Sequence, residues 1–347
     1  MMLQVLSRPG KKLILPTLRA LHATIDISSP VEGVRLANHD AVMPCIGFAA
    51  NPKSGAFEPT LNALKAGFRC VDTVQPATEQ EVGSAIHKAV AEGILSSRDD
   101  VFVITKQWWE QKESHNLLES LFLSLQRLGT SHVDMLVMDW QEPASSLNQA
   151  SMGAEGPWYY HSLVQEQMAT ARAETWSAME TAMELGMTKS IGVSNFSVKN
   201  LKVLKKTARV WPPAINQVEF DPLFPRNDVK EYCNKEGIAL QYYGAPQGLS
   251  KTAATRKQQF GETTLLQSRE VSQLAQDLSV TNAQVVVRYA LQRHGAITTD
   301  ALCAEQLQEN ANVFHFDLTE SQLQTIDSLR PCVDEPIQSW SLFRRAA

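Results

Sequence analysis

Six short apolar runs in this chain each end in a polar group. They close at Asp72, Lys106, Asp139, Ser194-Asn195, Gln217 to Glu219, and Tyr243. In barrels and doubly wound sheets the C-terminal ends of the strands carry the chemistry, so these side chains are placed to converge on one mouth. Two carboxylates and a lysine there could do acid–base work on a small polar substrate. Held between Asp72 and Asp139, Lys106 stays charged, which disfavours a Schiff-base or general-base role. Each residue also has a purely structural alternative. Asp72 could cap the following helix, Lys106 could be a solvated lysine, Ser194-Asn195 could cap the helix from Val198, and Tyr243 could be an aromatic on a buried strand. Six such ends together argue for a site.

The elements that must hold them follow from the periodicity. From Phe68 to Ile86 the chain reads as a strand ending at Asp72, a Pro-containing turn, and a helix with apolar Val82, Ala85, Ile86 and Ala89 on one face. Strand patterns cover 70–73, 101–106, 133–139, 190–194, 214–219, 238–243 and 296–298, preceded by a first strand near 42–48. Helical patterns cover 59–67, 79–92, 116–128, 171–185, 198–207, 227–236 and 283–294. Val34–Leu36, the turn at 37–40 and the run from Val42 form a small hairpin leading into the first strand. Eight strands alternating with helices predict an α/β chain folded as a (β/α)8 TIM barrel with an N-terminal β-hairpin and a long loop after strand 4. An open doubly wound sheet is the alternative, but GxGxxG does not follow the first strand.

The predicted layout is an arm over 1–30, a barrel over 31–332 and a tail over 333–347. The chain has 347 residues, 44% of them hydrophobic, enough for one large core. Its 32 basic and 37 acidic residues give a net charge of −5 with no basic stripe interleaved with aromatics, which excludes nucleic acid as a partner. No apolar run reaches membrane-spanning length. Five scattered cysteines, Cys45, Cys70, Cys233, Cys303 and Cys332, form no CxxC pair, which argues against a disulfide framework and a zinc site. Residues 1–25 hold Arg8, Lys11, Lys12 and Arg19 and no acidic side chain. That composition fits an organellar targeting segment or a solvated basic arm, and hence a mitochondrial matrix or a cytoplasmic location.

Several segments carry a family resemblance. Arg69-Cys70-Val71-Asp72-Thr73 with Glu79 and Val82-Gly83-Ser84-Ala85-Ile86, Thr105-Lys106-Gln107-Trp108, Lys189-Ser190-Ile191-Gly192-Val193-Ser194-Asn195-Phe196, and Pro213-Ala214-Ile215-Asn216-Gln217-Val218-Glu219 resemble the aldo-keto reductases. The match runs from about Val34 to Arg330. It implies a barrel that binds a nicotinamide dinucleotide across its mouth, with an Asp, a Lys and a His around a Tyr that protonates the carbonyl oxygen as hydride arrives.

Asp72 and Lys106 match that pattern; two other positions depart from it. The tyrosine is expected five residues beyond Asp72, and Pro76 or Ala77 stands there instead, neither able to donate a proton. The histidine at the end of strand four is replaced by Asp139. An anion there opposes the developing oxyanion by about 4 kcal/mol at ~4 Å and an effective dielectric of 20. A protonated Asp139 could replace the acid, although pairing with Lys106 would push its pKa the other way.

The resemblance gives Ser194, Asn195 and Gln217 to the carboxamide, Tyr243 to the face of the nicotinamide, and Glu309 and Asn310 to the adenine. Where the family grips the 2′-phosphate with Lys-Ser and an Arg, this chain has Asp300, Ala301 and Gln306. The expected cofactor is NAD(P)H with NADH favoured over NADPH, Asp300 accepting from a ribose diol or merely capping the helix near Ala304, and a chain that binds no cofactor is also open. Ala49-Ala50-Asn51 and the loop from 142 to 170 shape access, with Tyr159 or Tyr160 able to serve as a substitute acid or to pack the loop down. The tail from Trp340 occupies the part of the chain that in the family shapes substrate specificity.

Three functions follow as expectations. One is an atypical oxidoreductase with a degenerate tetrad and little carbonyl reductase activity on a small-molecule carbonyl or polar substrate. Another is a non-catalytic regulatory or assembly subunit with a protein partner, for which the family offers a parallel in the regulatory subunit of glutamate–cysteine ligase. The last is a redox-neutral enzyme using Asp72, Lys106 and Asp139.

Overall fold

Strand-length runs with little alternation are buried on both faces, the pattern of a parallel sheet covered by helices. The computed structural model describes residues 25–26, 33–50, 55–73, 76–108, 117–139, 158–219, 226–244, 265–301 and 303–329. Three short strands come first: β1 (Ile25–Asp26), β2 (Gly33–Leu36) and β3 (His39–Pro44). The barrel strands are β4 (Ile46–Ala49), β5 (Cys70–Asp72), β6 (Phe102–Trp108), β7 (Val133–Asp139), β8 (Thr188–Ser194), β9 (Ile215–Glu219), β10 (Ala239–Tyr243) and β11 (Ala296–Thr299). They close in the order β10-β11-β4-β5-β6-β7-β8-β9, every barrel pair parallel. The expected (β/α)8 barrel is the fold.

The helices are α1 (Phe57–Lys65), α2 (Pro76–Ala91), α3 (Leu117–Leu128), α4 (Trp158–Glu184), α5 (Val198–Leu204), α6 (Asn227–Glu236), α7 (Arg269–Leu278), α8 (Asn282–His294), α9 (Ala304–Ala311) and α10 (Glu320–Asp327). Two expectations are corrected. Helix α4 starts at Trp158 rather than near 171, so residues 158–170 are helix and not loop. Its first two turns are rich in aromatics that lack a clean apolar stripe, so periodicity missed them. Within the supposed arm, β1 pairs antiparallel with β2, extending the hairpin to a three-stranded sheet. The remainder of 1–30, the rest of the loop after β7 and the tail beyond Leu329 lie outside the described residues.

That small sheet is tied to the barrel by Asn38, in its turn, whose Nδ2 donates to the carbonyls of Ile191 (3.0 Å) and Pro212 (3.3 Å). Val34, Leu36 and Met43 are buried. Cys45, Cys70 and Cys233 are buried thiols outside any disulfide among the described residues, burial pushing Cys233 up to about 12, and Cys303 is an exposed one. Cys332 lies outside the described residues. Among the described residues no cluster could hold a metal ion, and no helix is long and apolar enough to cross a membrane.

The wall beside β5 and β6 is held by a buried carboxylate. Glu79 of α2, 0% exposed, accepts from Thr105 Oγ1 of β6 at 2.6 Å and from Arg127 Nε of α3 at 2.7 Å. One residue thus fixes a strand and a neighbouring helix against α2. Where α2 meets α3, a Cβ on Gly83 would lie 2.4 Å from the backbone oxygen of Leu128. Backbone cannot swing away like a side-chain tip, so the helices must separate. Gly83→Ala is expected to lower the unfolding free energy by about 1–3 kcal/mol, despite the better helix propensity of alanine. A urea midpoint unchanged from that of the parent would contradict this.

Candidate functional site

At the end of β5 the carboxylate of Asp72 meets the ammonium of Lys106 from β6 at 3.2 Å, and their side chains are 1% and 8% exposed. Lys106 is therefore not a solvated lysine. The same Asp72 Oδ2 accepts from Gln217 Nε2 of β9 at 2.8 Å, and that nitrogen also donates to Gln241 Oε1 of β10 at 2.9 Å. Asp72 accepts only, so the amide nitrogen of Gln217 must face it, which settles the orientation of that amide. Gln241 in turn donates to Met43 Sδ at 3.8 Å. A polar string runs from the mouth through the barrel to the hairpin beneath.

Asp139 sits higher. Lys106 is level with Val137 and Asp139 with Trp108, two residues further along the strands, a rise of about 7 Å. The expectation that Lys106 lies between two carboxylates is corrected on this point: its ion pair is with Asp72. Asp139, 4% exposed, accepts instead from Asn195 Nδ2 at 3.0 Å. Among the described residues no lysine or arginine pairs with it, and no phenol hydrogen-bonds to Lys106.

Asn195 follows β8 with φ 63°, the left-handed region that asparagine tolerates better than other side chains. Its backbone N–H donates to Gln217 O at 2.8 Å. The buried Asn216 holds the next residue, accepting from Phe196 N–H and donating to Phe196 O. So placed, the Asn195 amide donates to Asp139 and to Ser194 Oγ (3.2 Å), while its oxygen accepts from the Tyr243 hydroxyl at 2.9 Å. The cap of α5 is Ser197, whose hydroxyl accepts from Asn200 N–H, so Ser194 and Asn195 are not caps. Burial, then the carboxylates of Glu219 and Asp139, push the Tyr243 phenol well above its ordinary range, and it remains protonated.

The residues that the resemblance gives to the adenosine lie at β11 and α9. Asn310 is 1% exposed, and neither its Oδ1 nor its Nδ2 has a hydrogen-bond partner among the described residues. A buried amide unpaired on both sides costs about 1–3 kcal/mol or more per group, which a ligand with a complementary donor and acceptor offsets. An adenine edge has that pattern. At the other end Gln217 Oε1 is likewise buried and unpaired, an acceptor that suits a carboxamide N–H. These orphaned groups fit a nicotinamide dinucleotide.

The segment that the resemblance gives to the 2′-phosphate is acidic. Residues 300–311 contain no Lys or Arg and three carboxylates, Asp300, Glu305 and Glu309. Burial raises the Asp300 carboxyl above the usual range, partly offset by its own backbone N–H. The N-cap position of α9 is Cys303, three residues beyond Asp300. Gln306 and Glu309 lie on α9 beside Asn310.

Of the positions taken for the tyrosine, Pro76 opens α2 and Ala77 is exposed. Val74, Gln75 and Asn51 lie outside the described residues, as do the side chains of Tyr159 and Tyr160. Sequence reasoning overlooked Gln241, Asn216 and Thr298, whose buried Oγ1 is unpaired among the described residues. A polar residue inside an otherwise apolar strand was the available signal for the first.

Residues 45–331 match the model of the aldo/keto reductase family. The chain is 29% identical over 302 residues to the (1S)-1,7-diacetoxy-luvungin A aldo-keto reductase of Citrus sinensis, covering 85% of this chain and 88% of that one. It is 30% identical over 293 residues to the D-galacturonate reductase of Fragaria ananassa, covering 83% and 86%. Among solved structures, MGS-M4, an aldo-keto reductase enzyme from a Medee basin deep-sea metagenome library, superposes with a TM-score of 0.66 at 26% identity over 86% of this chain and 94% of that one. On that match and on the barrel that carries it, the chain belongs to the aldo/keto reductase family.

Proposed function

We propose that this family member binds NAD(H) in preference to NADP(H) and has little or no carbonyl reductase activity. The observation that carries the reading is the buried Asp139 at the end of β7, held by the neutral amide of Asn195 and by no cation among the described residues. Carbonyl reduction needs hydride at carbon and a proton at oxygen. When bound, the nicotinamide ring supplies the hydride. The chain's own residues must supply the proton and tolerate the negative charge that builds before it arrives. Asp139 opposes that charge, Lys106 is already neutralised by Asp72, and the Tyr243 hydroxyl is spent on Asn195.

Binding is a separate matter, and the groups for it remain. Gln217 and Ser194 take the carboxamide end, Tyr243 the ring, and Asn310 with Glu309 the adenine, while Asp300 suits a ribose diol and repels a 2′-phosphate. The compound sharing the mouth is a small carbonyl or polar molecule, a class to which the D-galacturonate in the Fragaria relative's name belongs.

The full chain mixed with NADH or NADPH and a panel of aldehydes is expected to oxidise cofactor no faster than the protein-free blank. Titration through tryptophan fluorescence is expected to give saturable binding of NADH and weak binding of NADPH. Ordinary turnover of aldehydes would overturn the catalytic half of the proposal, and absence of binding by both cofactors the other half.

A further inference from the structure

The chain Asp139–Asn195–Tyr243 places a buried carboxylate one amide away from the phenol on which a nicotinamide would lie. Asp139 Oδ1 accepts from Asn195 Nδ2 at 3.0 Å, and Asn195 Oδ1 accepts from the Tyr243 hydroxyl at 2.9 Å. Glu219 is level with Tyr243 across the β9–β10 pair and is also buried. The one lysine of the constellation lies lower in the barrel and faces Asp72. In this arrangement Asn195 relays nothing that would cancel the charge of Asp139, because an amide is neutral. Charges in a water-poor pocket interact far more strongly than in solvent.

The two redox forms of the cofactor differ at the ring. The oxidised nicotinamide carries a positive charge, and the dihydronicotinamide is neutral. Charge near that ring is one of the few levers a protein has on the cofactor's electronics. We infer that Asp139 makes this pocket selective for the oxidised dinucleotide, so that the resting protein holds NAD+ in preference to NADH. This rests on the dinucleotide reading above and adds the redox form to it. The same residue that hinders carbonyl reduction then favours the cofactor form that cannot reduce.

The hydrogen-bond pattern of the pocket agrees. Asn195 has both of its amide functions engaged within the protein, so Asp139 acts on the ring through its field and not by presenting a donor. Each ten-fold preference for the oxidised form lowers the two-electron potential of the bound couple by about 30 mV.

Calorimetric titration of the full chain with NAD+, NADH and ADP-ribose, on the parent and on Asp139→Asn, tests this. The parent is expected to bind NAD+ about ten-fold or more tighter than NADH. Asp139→Asn keeps the shape and an oxygen for Asn195, and is expected to remove most of that preference, chiefly by weakening NAD+. ADP-ribose, which lacks the ring, is expected to bind both proteins alike, a result that a general disturbance of the fold would not give. NADH bound as tightly as NAD+ by the parent, or an unchanged ratio in a variant that still binds ADP-ribose, would overturn the inference and leave the dinucleotide reading standing. If neither redox form nor ADP-ribose binds the parent, the dinucleotide reading itself fails, and the inference fails with it. Should the variant not fold, the parent's ratio decides alone.

Discussion

Asp300→Lys combined with Gln306→Arg is expected to tighten NADPH binding by about ten- to a hundred-fold while moving NADH by no more than a few-fold. The argument is one of charge. A 2′-phosphate carries close to two negative charges, and the segment that faces it in the family presents three carboxylates and no cation here. A charge-assisted hydrogen bond contributes about 1.5–3 kcal/mol, so two new ones reach about 3–6 kcal/mol before the ordering of two long side chains is subtracted. Half of that, about 1.5–3 kcal/mol, is roughly ten- to a hundred-fold. Removing Asp300 also removes repulsion, and the buried setting that raises its carboxyl makes the position poor for any unpaired charge. Kd values by fluorescence titration decide the matter. NADPH affinity that stays put would mean the phosphate lies elsewhere, and the assignment of Asp300 and Gln306 would fall.

Asp72→Ala is expected to cost about 3–5 kcal/mol of unfolding free energy, the range for stripping a buried ion of its partner. Lys106 would keep a side chain that is 8% exposed and lose the carboxylate 3.2 Å away. Adding Lys106→Met to that background should restore most of the loss, because both charges are then gone and the thioether fills the space. Lys106→Met alone should cost less than Asp72→Ala, since Asp72 still accepts from Gln217. Urea unfolding of the three variants makes a double-mutant cycle. A loss in the double variant equal to the sum of the two single losses would show that the pair does not interact and that its proximity is incidental to stability.

The barrel was legible because parallel strands leave long apolar runs and helices leave a 3.6-residue stripe between them. β7 and α6 were bounded to the residue for that reason, Val133–Asp139 and Asn227–Glu236. The start of α4 was not, since its first two turns place Trp, Tyr, Tyr and His where no stripe forms, and the pairing of Ile25-Asp26 is too short to leave a period. In the site, Asp72 with Lys106 and the trio Ser194, Asn195 and Gln217 could be found because each closes a strand. What could not be read was height: that Asp139 stands two residues above Lys106 is a matter of strand register, which no local pattern encodes. Gln241 escaped because it sits mid-strand, and Asn310 was named through the resemblance alone, since the helix pattern does not show its burial.

The three-stranded sheet under the barrel has a bearing on how the chain is made. Val34, Leu36 and Met43 leave a ribosome before the barrel strands do, yet Asn38 docks on carbonyls 153 and 174 positions later. Until Pro212 has emerged, that sticky hairpin has nowhere to settle, and it is then a surface on which nascent chains can associate or chaperones can hold. Completing the far wall of the barrel is what retires it.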